Sequence, residues 1–134
     1  MQNIYKSKFV SINILPKKEL LIIEWLSDSE DMTEEEFKNE IQAEIVAIKE
    51  YKPTNILART TQMSFVITPN MQEWHNELVF PVFKNIGVSK LAIILSSDIF
   101  SQISIEQLIE DNTEAEFITH YFDKEDKALL WLQE

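Results

Sequence analysis

The stretch Asn55–Ile86, NILARTTQMSFVITPNMQEWHNELVFPVFKNI, sets a short apolar run, a polar loop and a long helical pattern end to end. Ile56 to Thr60 read as a strand. Thr68 followed by Pro69 marks a helix start, because proline lacks the N–H that a first helical residue leaves unpaired anyway. From there Met71, Trp74, Leu78, Val82 and Ile86 recur at helical spacing and form one apolar stripe. The stripe runs through Pro81, whose ring removes a hydrogen bond and clashes with the preceding turn, so a kink or two short helices are predicted. Gly87, the one glycine of the chain, falls where a left-handed helix terminus wants it.

The same logic extends to both sides. Val10, Ile12 and Ile14 alternate with Phe9, Ser11 and Asn13, as in an edge strand. After a turn at Pro16 to Glu19, the run Leu20 to Leu26 is nearly continuous in apolar residues, as in a buried strand paired to the first as a hairpin. Thr33 and Glu36 form a capping box and Met32 with Phe37 a hydrophobic staple, opening a helix whose stripe is Phe37, Ile41, Ile45 and Ile48, ended by Pro53. Leu91 to Leu95 read as a strand buried on both faces. Ser104 with Gln107, and Ile103 with Leu108, predict a second capping box and staple. Phe117 to Phe122 form a last strand, and Asp123 caps a final helix docked by Ala128, Leu129, Trp131 and Leu132. After the opening strand, strand and helix alternate four times. That order predicts an α/β fold with parallel strands joined by right-handed crossovers.

Composition excludes several chemistries. The 134 residues suit one domain, residues 1–134, with no Pro/Gly/Ser-rich linker or repeat. Without cysteine there is no thiol nucleophile, redox pair or thiolate zinc site. With one glycine, the phosphate-cradling loops and the nucleophile elbow are absent. Two histidines, His75 and His120, leave any metal site to lean on carboxylates. The net charge of −11 opposes nucleic acid and anionic membranes. No run approaches the eighteen or so apolar residues of a membrane span, and the N-terminal residues lack a signal-peptide pattern. A cytoplasmic protein without stable membrane insertion is the expectation.

The order of elements resembles the STAS (sulfate transporter and anti-sigma antagonist) or SpoIIAA-like fold and its larger CRAL-TRIO lipid-transfer relatives. The likeness covers almost the whole chain as topology. As sequence it is nearest to short uncharacterised bacterial STAS-like proteins, sharing the Pro69 to Trp74 helix start and the Ala128 to Leu132 ending. The resemblance implies a SpoIIAA-like, five-stranded, mostly parallel sheet in sequential order, an antiparallel first edge strand, and about four helices. In phosphorylatable STAS domains a Ser-Phe-type pair leads into Asp-Ser-Ser-Gly. Matching that pair to Ser64 and Phe65 puts Thr68 at the first Ser, Pro69 at the phosphoacceptor and Asn70 at the Gly. Proline has no hydroxyl, so in this register the phosphorylation switch is missing; a one-residue slip would put Thr68 there.

The helix-start corner supplies the candidate binding residues Arg59, Thr68, Asn70 and His75. Thr68 reads as an N-cap, or as a phosphosite whose charge a helix N-terminus would welcome. Arg59, the one arginine, lies near the carboxyl end of its strand and could hold an anion there. The alternative is an ion pair with an acid such as Glu73 or a loop carboxylate. Trp74 lies on the stripe and reads as core; His75 flanks it, with no partner nucleophile to make it a general base. His120 reads as an ordinary sheet residue. The acidic run Asp28 to Glu36 lacks the pattern of a calcium loop and reads as a dipole-matched helix start.

No catalytic set, metal or cofactor is predicted. Two functions follow, a non-enzymatic regulatory or protein-interaction module, and a carrier of a small apolar or lipid-like ligand. Val79, Phe80 and Phe83 are apolar positions beside the stripe, available either to a ligand or to a homodimer surface.

Overall fold

Three strands build the antiparallel end of the sheet in the computed structural model, which describes residues 1–111 and 117–134. They are β1 (Gln2–Lys6), β2 (Val10–Leu15) and β3 (Leu20–Trp25). The β2–β3 hairpin forms as expected, paired from Val10 opposite Trp25 to Leu15 opposite Leu20. What lies outside it corrects the sequence reading: β1 is a further strand, so among the described residues the sheet has six strands and β2 is interior. Gln2–Lys6 gives little apolar signal because it is an edge, where polar side chains protect unpaired backbone groups. A bulge between Asn3 and Tyr5 turns these two to opposite faces. Asn3 donates to Asn13 Oδ1 at 3.0 Å on one face, while the Tyr5 hydroxyl reaches the Glu40 carboxylate on the other.

Beyond β3 the strands are parallel and sequential: β4 (Asn55–Arg59), β5 (Lys90–Ile94) and β6 (Ile118–Phe122). The crossovers are α1 (Glu34–Tyr51), α2 (Pro69–Ile86) and α3 (Ile99–Glu110), and α4 (Glu125–Leu132) follows β6. Alternation along the strands makes two cores. Ile12, Ile23, Ile56 and Ile93 pack under α1, α2 and α3; Ile22, Leu57, Ala92 and Ile94 pack under α4 alone. Three helices on one face is what repeated crossovers of one hand produce.

Helix α1 starts as read, with Thr33 and Glu36 bonded reciprocally to each other's backbone N–H. Helix α2 runs unbroken through Pro81, whose ring faces solvent, and ends on Gly87 at φ 90°. It is not two helices. Its buried line also differs from the expected one: Met71, His75, Val79, Phe80 and Phe83 are buried, whereas Trp74 and Val82 are half-buried and Leu78 is exposed. The surplus apolar positions therefore fill the core.

Two helix starts are corrected as well. Helix α3 begins five residues before Ser104, capped by Asp98, whose carboxylate accepts from the Ser101 amide at 3.0 Å. Ser104 is mid-helix and buried, and its hydroxyl accepts from the Ile67 amide at 3.0 Å. Ile103 is not a staple; it faces solvent. For α4 the cap position is Lys124 rather than Asp123, and no side chain caps it.

Candidate functional site

Arg59 ends β4 on the α4 face, two residues on from Leu57. Its guanidinium grips Glu125 through two parallel bonds, Nε to Oε1 and Nη2 to Oε2, the latter at 2.9 Å. The Glu125 carboxylate holds the guanidinium proton more firmly still, more than offsetting partial burial, and Glu24 adds to it. The cleft around this pair is walled by Glu24, Asp123 and Glu125. An anion entering it would meet three carboxylates.

Thr68 caps α2, its hydroxyl accepting from the Met71 amide at 3.5 Å, and Pro69 occupies the first turn. Thr68, Pro69 and Asn70 are exposed. The loop before them is pinned to α2, to α3 and to the β5–α3 turn. Ser96 Oγ donates to Met63 O, Ser97 Oγ to Thr61 O, and Gln72 Nε2 to Ile67 O, each at 2.7–2.8 Å.

His75 does not join this corner at the surface. It is buried beneath α2, edge-on to Phe80 with ring centroids 5.3 Å apart. Its Nδ1 lies 2.9 Å from Asn76 Oδ1, while Asn76 Nδ2 donates to Leu108 O at 3.0 Å. The amide oxygen of Asn76 is thus the acceptor, which places the imidazole proton on Nδ1 and leaves Nε2 as an acceptor. Burial pushes the pKa of His75 down to about 4, against the Asn76 bond. The sheet stands between His75 and Arg59, so the four candidates do not converge. Thr68 and Asn70 share the α2 start; Arg59 and His75 belong to opposite faces.

A residue outside the sequence reading is Glu44. It sits on α1 among Ile41, Ile45 and Ile48, buried, with Glu40 one turn earlier. Burial, reinforced by Glu40, raises its pKa to about 8. Glu44 and His75 both line a cavity of about 90 Å³ between the sheet and α1–α3. The signal was present: positions 37, 40, 41, 44, 45 and 48 form one helical face, and two of the six are glutamates.

The surface offers a second feature. Ile99, Phe100 and Ile103 lie on one side of α3 and are 67%, 67% and 45% exposed. The opposite side, with Ser101, Ser104, Ile105 and Leu108, is buried. Val66, also exposed, adjoins Ile67, whose amide is bonded to Ser104.

Among the described residues no group of three or more His, Asp or Glu is arranged to hold a metal ion, and no helix is long and apolar enough to cross a membrane. Comparison with protein-family models, with curated proteins and with solved structures finds no match to this chain.

Proposed function

We propose that this chain is a non-enzymatic regulatory or protein-interaction module of STAS-like type, working without the phosphorylation switch and meeting its partner through the outward face of α3. The observation that carries this reading is an apolar patch on the outward side of α3, where Ile99, Phe100 and Ile103 precede Glu106, Gln107 and Glu110. A surface helix normally turns its apolar residues to the core and its polar residues to solvent. Among the described residues nothing shields these three, which stay 45–67% exposed. Contiguous exposed apolar side chains of this kind mark interaction sites. Burying one such side chain fully is worth roughly 1.5–3 kcal/mol.

The sequential sheet order and Pro69 at the start of α2 support the STAS-like part of the reading. The net charge of −11 favours a partner whose rim is basic over a second copy of this chain. A lipid carrier draws less support: the cavity of about 90 Å³ beneath α1–α3 is far below the roughly 300–1,000 Å³ of sites for drug-sized ligands, and the larger cleft of about 570 Å³ beside α4 is edged by Lys18, Glu19, Asn55 and Arg59.

Native mass spectrometry of gently purified protein, with Phe100→Asp alongside, tests the proposal. The expected result is a ligand-free protein complex that Phe100→Asp weakens at least ten-fold while leaving the melting temperature unchanged. A monomer carrying copurified lipid, or a complex indifferent to Phe100→Asp, overturns it.

A further inference from the structure

The cavity beneath α1, α2 and α3 has a lining that core packing alone does not explain. Its walls are aliphatic and aromatic except for Glu44, Thr60 and His75. Thr60 is committed, its hydroxyl donating to the Ile94 carbonyl. Glu44 and His75 are 7% and 8% exposed. Among the described residues no hydrogen bond reaches the Glu44 carboxyl, and the nearest charge acting on it is the repulsive one of Glu40. On His75 the Asn76 contact uses Nδ1 and leaves the Nε2 lone pair free for a donor.

An unpaired buried carboxyl is costly, and a valine of similar volume would remove the cost. Water is one way to satisfy it. The volume of about 90 Å³ has room for about three waters at bulk density, but each needs two to four polar partners. The cavity has two uncommitted groups and otherwise apolar walls, so a water cluster there would be poorly held. An apolar molecule with a single polar end matches the lining better. Size sets its scale: a dry cavity of ~150 Å³ accommodates benzene, so this one takes a somewhat smaller body. At neutral pH the carboxyl keeps its proton and the imidazole lacks one, so neither offers a counter-charge to an ion.

We propose that this cavity is a binding site for a small neutral molecule with an apolar body and one hydrogen-bonding end, with Glu44 and His75 as its polar contacts. The site is independent of the surface reading above, since Ile105, Leu108 and Ile109 line it from the inner side of α3 while Phe100 faces outward.

Two probes smaller than benzene and of equal heavy-atom count, ethanol and propane, test it by titration into labelled protein with amide shifts as the readout. In the wild type both bind saturably, with shifts centred on Glu44, His75 and Ile109. In Glu44→Val, ethanol weakens about five- to ten-fold, the worth of one hydrogen bond, while propane does not weaken. In Glu44→Gln, which keeps a polar end, ethanol binding is retained. Absence of saturable binding to the wild type, shifts centred elsewhere, or equal losses for both probes in Glu44→Val overturns the proposal. The wild-type titration decides by itself should Glu44→Val fail to fold.

Discussion

Arg59, the last residue of β4, and Glu125, in the first turn of α4, face each other as fork and carboxylate across the thinner side of the sheet. Helix α4 has only eight residues and two buried side chains, Ala128 and Leu132. Polar ties supplement them: Asn55 Nδ2 donates to Leu132 O at 3.1 Å and Lys90 Nζ to Trp131 O at 2.9 Å, while Trp131 stacks on His120. The fork closes the open end of this set.

A double-mutant cycle on Arg59→Ala and Glu125→Ala therefore returns a favourable coupling. The Arg59 and Glu125 side chains are 26% and 40% exposed. Solvent screening holds the coupling to about 0.5–1 kcal/mol despite the bidentate geometry. Urea unfolding at two salt concentrations checks it, with the smaller coupling at high salt. Added phosphate raises the melting temperature of the wild type no more than that of Arg59→Ala, because the guanidinium is already engaged.

The two buried titratable groups predict an unusual pH profile. Glu44 titrates near 8 in the folded protein against 4.5 when unfolded, so the folded state holds the extra proton between those values. Its contribution is fully present below about pH 4.5 and is lost as pH rises towards 8. His75 titrates near 4 against 6.5, so the unfolded state binds the extra proton, and stability is lost as pH falls from 6.5 towards 4. Between about pH 4.5 and 6.5 the two slopes oppose and cancel. Above 6.5 only the Glu44 slope remains. Chemical denaturation should therefore show these groups giving a flat profile up to about 6.5 and then a decline towards 8. In Glu44→Gln the decline disappears, and in His75→Phe the flat region becomes a slope that falls with rising pH.

Most of this fold is legible in the sequence because the apolar runs Leu20 to Trp25, Ile56 to Ala58 and Leu91 to Ile94 are short and bounded by turn residues. What escapes has physical reasons. The β1 edge carries Gln2, Asn3 and Lys6, and its stability comes from ladder bonds and the Asn3 network rather than apolar alternation. Helix α2 is apolar over a wide arc, so spacing fits the line through Trp74 and Leu78 as well as the line through His75 and Val79. Packing chooses the second and leaves Trp74 under the Lys38 ammonium, 5.3 Å from the ring centroid. The candidate corner was read from one β-α unit, yet alternation sends Arg59 to the face that α2 does not cover. Periodicity also puts Glu40 and Glu44 on the apolar face of α1, but only the packing of α2 and α3 shows that Glu44 is enclosed there.

The start of α3 separates two serine- and aspartate-based roles that look alike in sequence. Asp98 caps the helix at the surface, so Asp98→Ala lowers the unfolding midpoint modestly. Ser104 does more: its hydroxyl satisfies the buried Ile67 amide and itself donates to Ser101 O at 2.8 Å. Ser104→Ala orphans a buried donor in the loop that precedes Thr68, a loss of about 1–3 kcal/mol. Hydrogen exchange locates the effect, with Ile67 and its neighbours losing protection in Ser104→Ala and keeping it in Asp98→Ala.

Pro81 tests whether α2 is under strain. It lies thirteen residues into a helix of eighteen, where it offers no N–H to the Glu77 carbonyl, and its ring points to solvent. Since the exposed position packs against nothing, alanine there restores a backbone donor without opening a cavity in the core. Proline in a helix interior costs about 3 kcal/mol relative to alanine, partly offset because it also stiffens the unfolded chain by up to about 1 kcal/mol. Pro81→Ala should therefore raise stability by about 2–3 kcal/mol, measured by urea unfolding with an unchanged slope. A fall in stability would mean that a bend at Pro81 is needed to lay Val79, Phe80 and Phe83 into the core together, the one arrangement in which the proline stabilises the fold it interrupts.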